Sequence, residues 1–267
     1  VAVRLKNQNG SPLEGCQVAF LIIAQPDQAK GTGLSEEMSP GSINRLISSS
    51  EIAFRVSFDG AVPAHHERYW RGVVLSRYDG KTWTRHDAPQ SALPNIQHTQ
   101  DSSSDFDYTI TLQPTNLNWL LSLEYPDEHE KQYRFTREGS LQSASKINSV
   151  INYRLSSRTD SVNRSLFAQE DYKNRLLPVG RNPQTMQLAR DLLALSSYDA
   201  RSYISEVLNH FRNNEFIYTL NPDLLGEDAM DDFLFKTRKG FCEHYASAFV
   251  YLMRAAGIPS RVVIGYM

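Results

Sequence analysis

The chain has 267 residues, 40% of them hydrophobic and 22% charged, with a formal net charge of −2 at pH 7. Those values exclude a disordered or fibrous polypeptide and leave room for one large domain or two ordinary ones. They also exclude a broad basic footprint for nucleic acid. The longest apolar run, Val18–Ala24, falls far short of the ~20 residues that span a bilayer, and the opening residues lack a signal-peptide h-region.

In chain order, residues 1–24 read as two strands around Asn9-Gly10, with Val1, Val3 and Leu5 alternating. Residues 1–28 are therefore assigned as a hairpin or lead-in. The chain holds two cysteines, too few for a disulfide framework, and no Cys/His spacing suits zinc. Cys16 alternates with Val18 and Phe20, so a buried apolar role outweighs reactivity. A Gly/Ser/Pro-rich loop covers 25–42. Short strand signals then recur from Glu51 to Arg158, with Asp79-Gly80 marking a hairpin and residues 87–105 reading as an exposed loop. Trp70, Trp83 and Trp119 lie in these strands and read as large core side chains. An antiparallel β-sandwich-like domain over 29–160 is expected.

Near Asp160 the period changes from two to about 3.6. Met186, Leu188, Leu192, Leu193 and Leu195 form an apolar face. Asp199 caps a helix carrying Ile204, Val207, Leu208 and Phe211 on one stripe. A short extended segment, Phe216–Gly226, leads to a helix acidic at its start, basic in its last turn, and stopped by Gly240. The fold class is therefore α+β, with helices dominating 161–267.

The last helix carries the chemistry. Cys242, Tyr245, Ala246, Phe249, Val250, Met253 and Ala256 follow the spacing of one helix face, with Glu243, Ser247 and Arg254 opposite. Gly257 suits a left-handed C-cap, Pro259 prevents resumption, and Ser260–Tyr266 reads as a buried strand. Cys242 begins the apolar stripe, so a core role stays open. Against that role, the helix start and the nearby Lys236, Arg238 and Lys239 favour a thiolate, the nucleophilic form. A first-turn N–H is also a donor for an oxyanion. The partner base is not evident. His244 is about 200° around the helix from Cys242. His210 lies off its own apolar stripe and reads as solvent-facing, while His65, His66, His86, His98 and His129 fall in loops or strand ends.

The stretch "GFCEHYASAFVYLMRAAGIPSRVVIGY" resembles the transglutaminase-like core of the papain-type thiol enzymes. More narrowly, "GTGLSEEMSPGSINRLISSSEIAFRVSFDG", "YWRGVVLSRYDGKTWT" and "FIYTLNPDLL…DDFLFKTRKGFCEHYA" are similar to the extracytoplasmic region of bacterial, membrane-anchored TgpA-type proteins, over residues 29–267. The resemblance implies that 161–267 is the N-terminal, helical part of that core. It implies a Cys-His-Asp triad with Cys242 as nucleophile, the His and Asp being expected downstream of Met267, so this chain alone is expected to be inactive.

Tyr218 matches by position the aromatic residue that often serves the oxyanion upstream of the nucleophile, a purely structural tyrosine being the alternative. The implied reaction is acyl transfer from a glutamine carboxamide or peptide carbonyl through a cysteine thioester, as a transglutaminase or a cysteine peptidase. No cofactor and no metal are called for. The implied partner is a protein or peptide substrate, not nucleic acid, and the implied location is the periplasmic face of the bacterial inner membrane. The alternative is a non-catalytic envelope interaction protein with a remnant core. Ser260–Tyr266, apolar on both faces, is expected to leave an open edge unless the β domain or another chain covers it; left open, it would be frayed, mobile or paired between molecules.

Overall fold

The computed structural model describes residues 3–6, 17–23, 34–40, 52–86, 96–98, 106–136, 138–158, 161–163 and 172–267. Within these, 3–6, 17–23, 96–98, 128–129 and 161–163 are described by backbone alone. Cys16 and the Asn9-Gly10 turn lie outside the described residues.

Strict alternation builds the main antiparallel sheet, ordered Pro126–His129, Ile151–Ser157, Phe106–Leu112, Phe54–Phe58. Tyr108, Ile110 and Leu112 from one strand, with Tyr153 and Leu155 from the next, point inward onto Trp70, Leu121 and Leu123. This is the sandwich-like packing that the period-two pattern implies. Two tyrosines cross between its layers. The Tyr108 hydroxyl accepts from Leu123 N–H at 2.8 Å, and the Tyr153 hydroxyl accepts from Leu121 N–H at 3.0 Å. Each satisfies a buried backbone donor that sheet pairing leaves over. The Asp79-Gly80 hairpin forms, pairing Arg77 with Thr84 and Tyr78 with Trp83. Its Asp79 carboxylate accepts from the Lys81 and Thr82 N–H groups at 2.8 and 2.7 Å. A short strand, Ile96–His98, pairs with Ser161–Asn163 inside the stretch read as an exposed loop.

A second, mixed sheet runs Val3–Lys6, Gln17–Ile23, Ser260–Tyr266, Trp70–Leu75, Ser122–Leu123. Ser260–Tyr266 lies at its centre, parallel to Gln17–Ile23 and antiparallel to Trp70–Leu75. Both of its edges are thus paired within one chain, the β-rich half supplying the cover without which the sequence implies an open edge. The change at residue 160 is consequently bridged in space. Met38, Val73, Leu75, Tyr78, Trp83 and Trp119 share one core with Tyr203, Ile204, Val207 and the helix Cys242–Ala255.

The helical half follows its caps. Asp199 accepts from Ser202 N–H at 2.8 Å and starts Ala200–Asn213. Pro183–Leu195 buries Thr185 and Ala189, whereas Leu195, expected on its apolar face, points out to solvent. The helix from Ala229 widens over Asp232–Thr237 and closes with an Arg238 N–H bond to the Phe233 carbonyl, five residues back. It stops at Arg238, whose φ of 51° is left-handed, and not at Gly240 as the sequence suggests.

The Cys242–Ala255 helix ends as expected, with Gly257 at φ 76°. Most of its polar face does not reach water, however. Ser247 is wholly buried and accepts from Trp83 Nε1, and Arg254 is buried among backbone carbonyls. The helix is enclosed on nearly every side because sheet and helices pack against it together. Among the described residues no helix is long and apolar enough to cross a membrane.

Candidate active site

After the reversal at Arg238, Lys239–Gly240 pairs in parallel with Ile217–Tyr218. Ile217 N–H donates to the Arg238 carbonyl at 2.8 Å, and Thr219 N–H to the Gly240 carbonyl at 2.9 Å. Tyr218 is thereby registered against Gly240, two residues before Cys242. Phe241 is extended at the N-cap, and Cys242 is the first residue of its helix.

This register brings the two residues selected from sequence into contact. The Tyr218 hydroxyl accepts from the Cys242 backbone N–H and also meets the Cys242 thiol. The sulfur receives a second donor, the backbone N–H of Glu243. Tyr218 stacks on Tyr245, with ring centroids 6.3 Å apart and planes at 21°. At 54% exposure its ring remains accessible, whereas Cys242 is only 6% exposed. Cys242 is a thiol, not half of a disulfide.

The electrostatics differ from the sequence expectation. Burial, followed by the neighbouring Glu243 charge, pushes the Cys242 thiol up to about 11, outweighing the Glu243 N–H and Tyr218 hydrogen bonds that lower it. The helix-start donors are present, but desolvation of a thiolate dominates them. Lys236, Arg238 and Lys239 are not among the leading influences on the thiol. Lys236 is paired with Asp232 at 2.5 Å, and Arg238 acts instead on His210.

The histidines resolve as follows. His244 is fully buried, with its ring against Phe241 and Phe233 at centroid distances of 4.6 and 5.5 Å. Burial holds it down to about 4, and it is not directed at the sulfur as a base. His210 is half-buried rather than solvent-facing, packed on Phe211 and Phe216, and burial followed by Arg238 lowers its pKa. His65 and His66 are exposed, as expected of loop residues.

Sequence reading missed Glu243. It was placed on the polar face, yet burial raises its carboxyl to about 7, and its Oε2 is enclosed without a hydrogen-bond partner among the described residues. The visible signal is a carboxylate placed directly after the cysteine at a helix start.

Gly240 serves close approach. A Cβ there would lie 2.6 Å from both Cβ and Cγ of His244. Gly240→Ala is expected to destabilise by about 1–3 kcal/mol through overpacking, read as a lowered thermal midpoint. Among the described residues no group of three or more His, Cys, Asp or Glu is arranged to hold a metal ion.

Comparison with known proteins matches this architecture to two family descriptions. Residues 13–163 match the TgpA N-terminal domain, and residues 187–267 match the transglutaminase-like superfamily. The chain belongs to the TgpA family. Its match begins at residue 13, inside the segment that the sequence resemblance leaves aside. A protein-glutamine gamma-glutamyltransferase of Pseudomonas aeruginosa is 37% identical over 245 residues, which are 91% of this chain and 36% of that protein. The chain thus spans about a third of the length of that curated relative.

The YebA protein of Bacillus subtilis is 39% identical over 66 residues, 24% of this chain and 9% of that protein. The crystal structure of the periplasmic domain of P. aeruginosa TgpA bound to ethylmercury is 36% identical. It superposes with a TM-score of 0.79 over 87% of this chain and 82% of that one. A second crystal structure of the same periplasmic domain gives a TM-score of 0.78. The chain corresponds to that periplasmic region, which places it outside the cytoplasm, and it carries a transglutaminase-like core of α+β fold.

Proposed function

We propose that the protein is a thiol acyltransferase of the protein-glutamine gamma-glutamyltransferase type, with Cys242 as nucleophile. The observation that carries this reading is a sulfur at a helix start that meets the Tyr218 hydroxyl and the Glu243 N–H, while the Cys242 N–H is held on that same hydroxyl. In this reading Cys242 attacks a glutamine carboxamide of a protein or peptide, and the tetrahedral oxygen lies between the Cys242 N–H and the Tyr218 O–H. Ammonia leaves, and the thioester passes its acyl group to an amine or to water. The proton is carried by a histidine, oriented by an aspartate, which the family resemblance places downstream of Gly265-Tyr266, since His244 is turned into the core. The P. aeruginosa relative's name supports transamidation over proteolysis. Attachment to the inner membrane belongs to the same proposal.

The buried thiol, held up to about 11, favours a second reading, a non-catalytic envelope protein with a remnant core. The full-length gene product separates the two. Incorporation of a fluorescent primary amine into a glutamine-bearing protein is expected, abolished by Cys242→Ala. Tyr218→Phe is expected to lower kcat about 10²-fold, the usual effect of losing one oxyanion donor. Unchanged incorporation in Cys242→Ala would overturn the assignment, and no incorporation by the wild type would favour the remnant.

A further inference from the structure

A carboxylate beside a nucleophilic thiol is adverse to the first half of acyl transfer, because its charge disfavours the thiolate. At the second position of the Cys242–Ala255 helix, Glu243 would ordinarily sit in water and favour the helix dipole. Here Oε2 is enclosed, without a hydrogen-bond partner among the described residues, while the residue as a whole stays partly exposed. Among the described residues no cation acts on its carboxyl. Burial alone accounts for its raised pKa of about 7. Among the described residues the titratable groups around it are the Cys242 thiol on its own helix and, through that thiol, the Tyr218 phenol from the facing strand; the chain's N-terminal ammonium also acts on that thiol. A buried, uncompensated carboxylate that remains reachable calls for a cation or a strong donor.

Resting on Cys242 as the acylated residue, we propose that Glu243 receives the acyl acceptor: its carboxylate binds the ammonium of an incoming primary amine beside the thioester and takes a proton from it. The deprotonated nitrogen attacks the thioester carbonyl, the C–N bond forms and the C–S bond breaks. Of the two protons that the ammonium loses, one ends on the Glu243 carboxyl and the other on the departing sulfur. An ammonium, a carboxylate and a thioester thus become an amide, a carboxylic acid and a thiol. The acid then returns its proton to water. A general base is most effective with a pKa near the working pH, and burial of the ammonium eases its deprotonation. This assigns a reason for the adverse charge at the thiol: it selects amine over water as acceptor.

The test uses this chain with Cys16→Ser, so that Cys242 is the one thiol. Rates of modification by 2-aminoethyl methanethiosulfonate, a cation, and 2-sulfonatoethyl methanethiosulfonate, an anion, are measured by mass spectrometry. Their ratio does not depend on the thiolate fraction. At pH 8 the cation/anion ratio is expected to exceed that of a simple thiol by about 10-fold or more. It should fall towards the simple-thiol ratio in Glu243→Gln, and in the wild type as pH drops from 8 to 6. In the full-length protein, Glu243→Gln is expected to raise the KM for the amine at least about 10-fold. Equal ratios in wild type and Glu243→Gln would overturn the proposal, as would failure of both reagents to reach Cys242. If the full-length wild type incorporates no amine, the acyltransferase reading fails, while the charge ratio still reports on Glu243.

Discussion

Arg254→Met is expected to lower the unfolding free energy by about 2–4 kcal/mol, because buried backbone carbonyls lose a charged donor at roughly 1–3 kcal/mol each, less the desolvation cost the guanidinium no longer bears. Sequence reading puts this arginine on a solvated helix face, but its guanidinium is buried. Its Nε and one terminal nitrogen donate to the Ser260 carbonyl at 3.0 and 2.7 Å, and the same terminal nitrogen donates to Ser76 O at 2.7 Å. The other terminal nitrogen donates to Leu176 O at 3.0 Å. The cation also lies 4.8 Å from the centre of the Trp83 ring.

Three segments far apart in sequence therefore end on one side chain: the turn after Trp70–Leu75, the stretch before Pro183, and the start of Ser260–Tyr266. Methionine fills similar volume but leaves the buried Ser76 and Ser260 carbonyls, and the part-buried Leu176 carbonyl, without this donor. Lysine restores the charge but not the planar fork, so Arg254→Lys should recover only part of the loss. The measurement is urea unfolding at constant pH. A loss under 1 kcal/mol for Arg254→Met would show that these carbonyls find other donors.

The second large effect depends on pH and on Glu243. A carboxyl at about 7 in the folded chain and near its ordinary value in the unfolded chain binds more protons when folded across the interval between them. Stability from this group is therefore fully present below about pH 4.5 and is lost as pH rises through 7. Glu243→Gln is expected to be more stable than wild type by roughly 2–3 kcal/mol at pH 8, after allowing for the buried amide. That advantage should shrink to near zero at pH 4.5.

His244 acts with the opposite sign. Held down to about 4, it contributes stability present above about pH 6.5 and lost as pH falls towards 4. The two neighbours offset one another over much of the acid range, and Glu243→Gln should expose the histidine's acid sensitivity. Thermal or urea midpoints of both proteins at pH 4.5, 6 and 8 decide the matter. A pH-independent difference would mean that the carboxyl is solvated.

The helix from Cys242, its stop at Gly257, the Asp199 cap, the Asp79-Gly80 hairpin and the alternation of Phe106–Leu112 were all legible in the sequence. Each is set by residues within about one turn or one hairpin of each other. The same holds for the pairing of Tyr218 with the cysteine, but only as a position relative to a motif. Its physical basis, the parallel ladder to Gly240, needs two segments some twenty residues apart. What sequence left wrong or unread shares a different cause. The thiol's raised pKa, the buried Ser247 and Arg254, the enclosed Glu243 and the central place of Ser260–Tyr266 all depend on what packs against them. Local pattern assigns one wet face to an amphipathic helix, yet Trp83 and Ser76, from the β-rich half, cover that face.

By itself, then, the sequence determined which side chains share a helix face, where the chain turns, and that a cysteine opens a helix. Tertiary structure alone decided how much water each of those groups keeps. Protonation of Cys242, Glu243 and His244 follows from that water, because the free energy of a charge depends on the whole surrounding volume and not on the residues next to it in the chain.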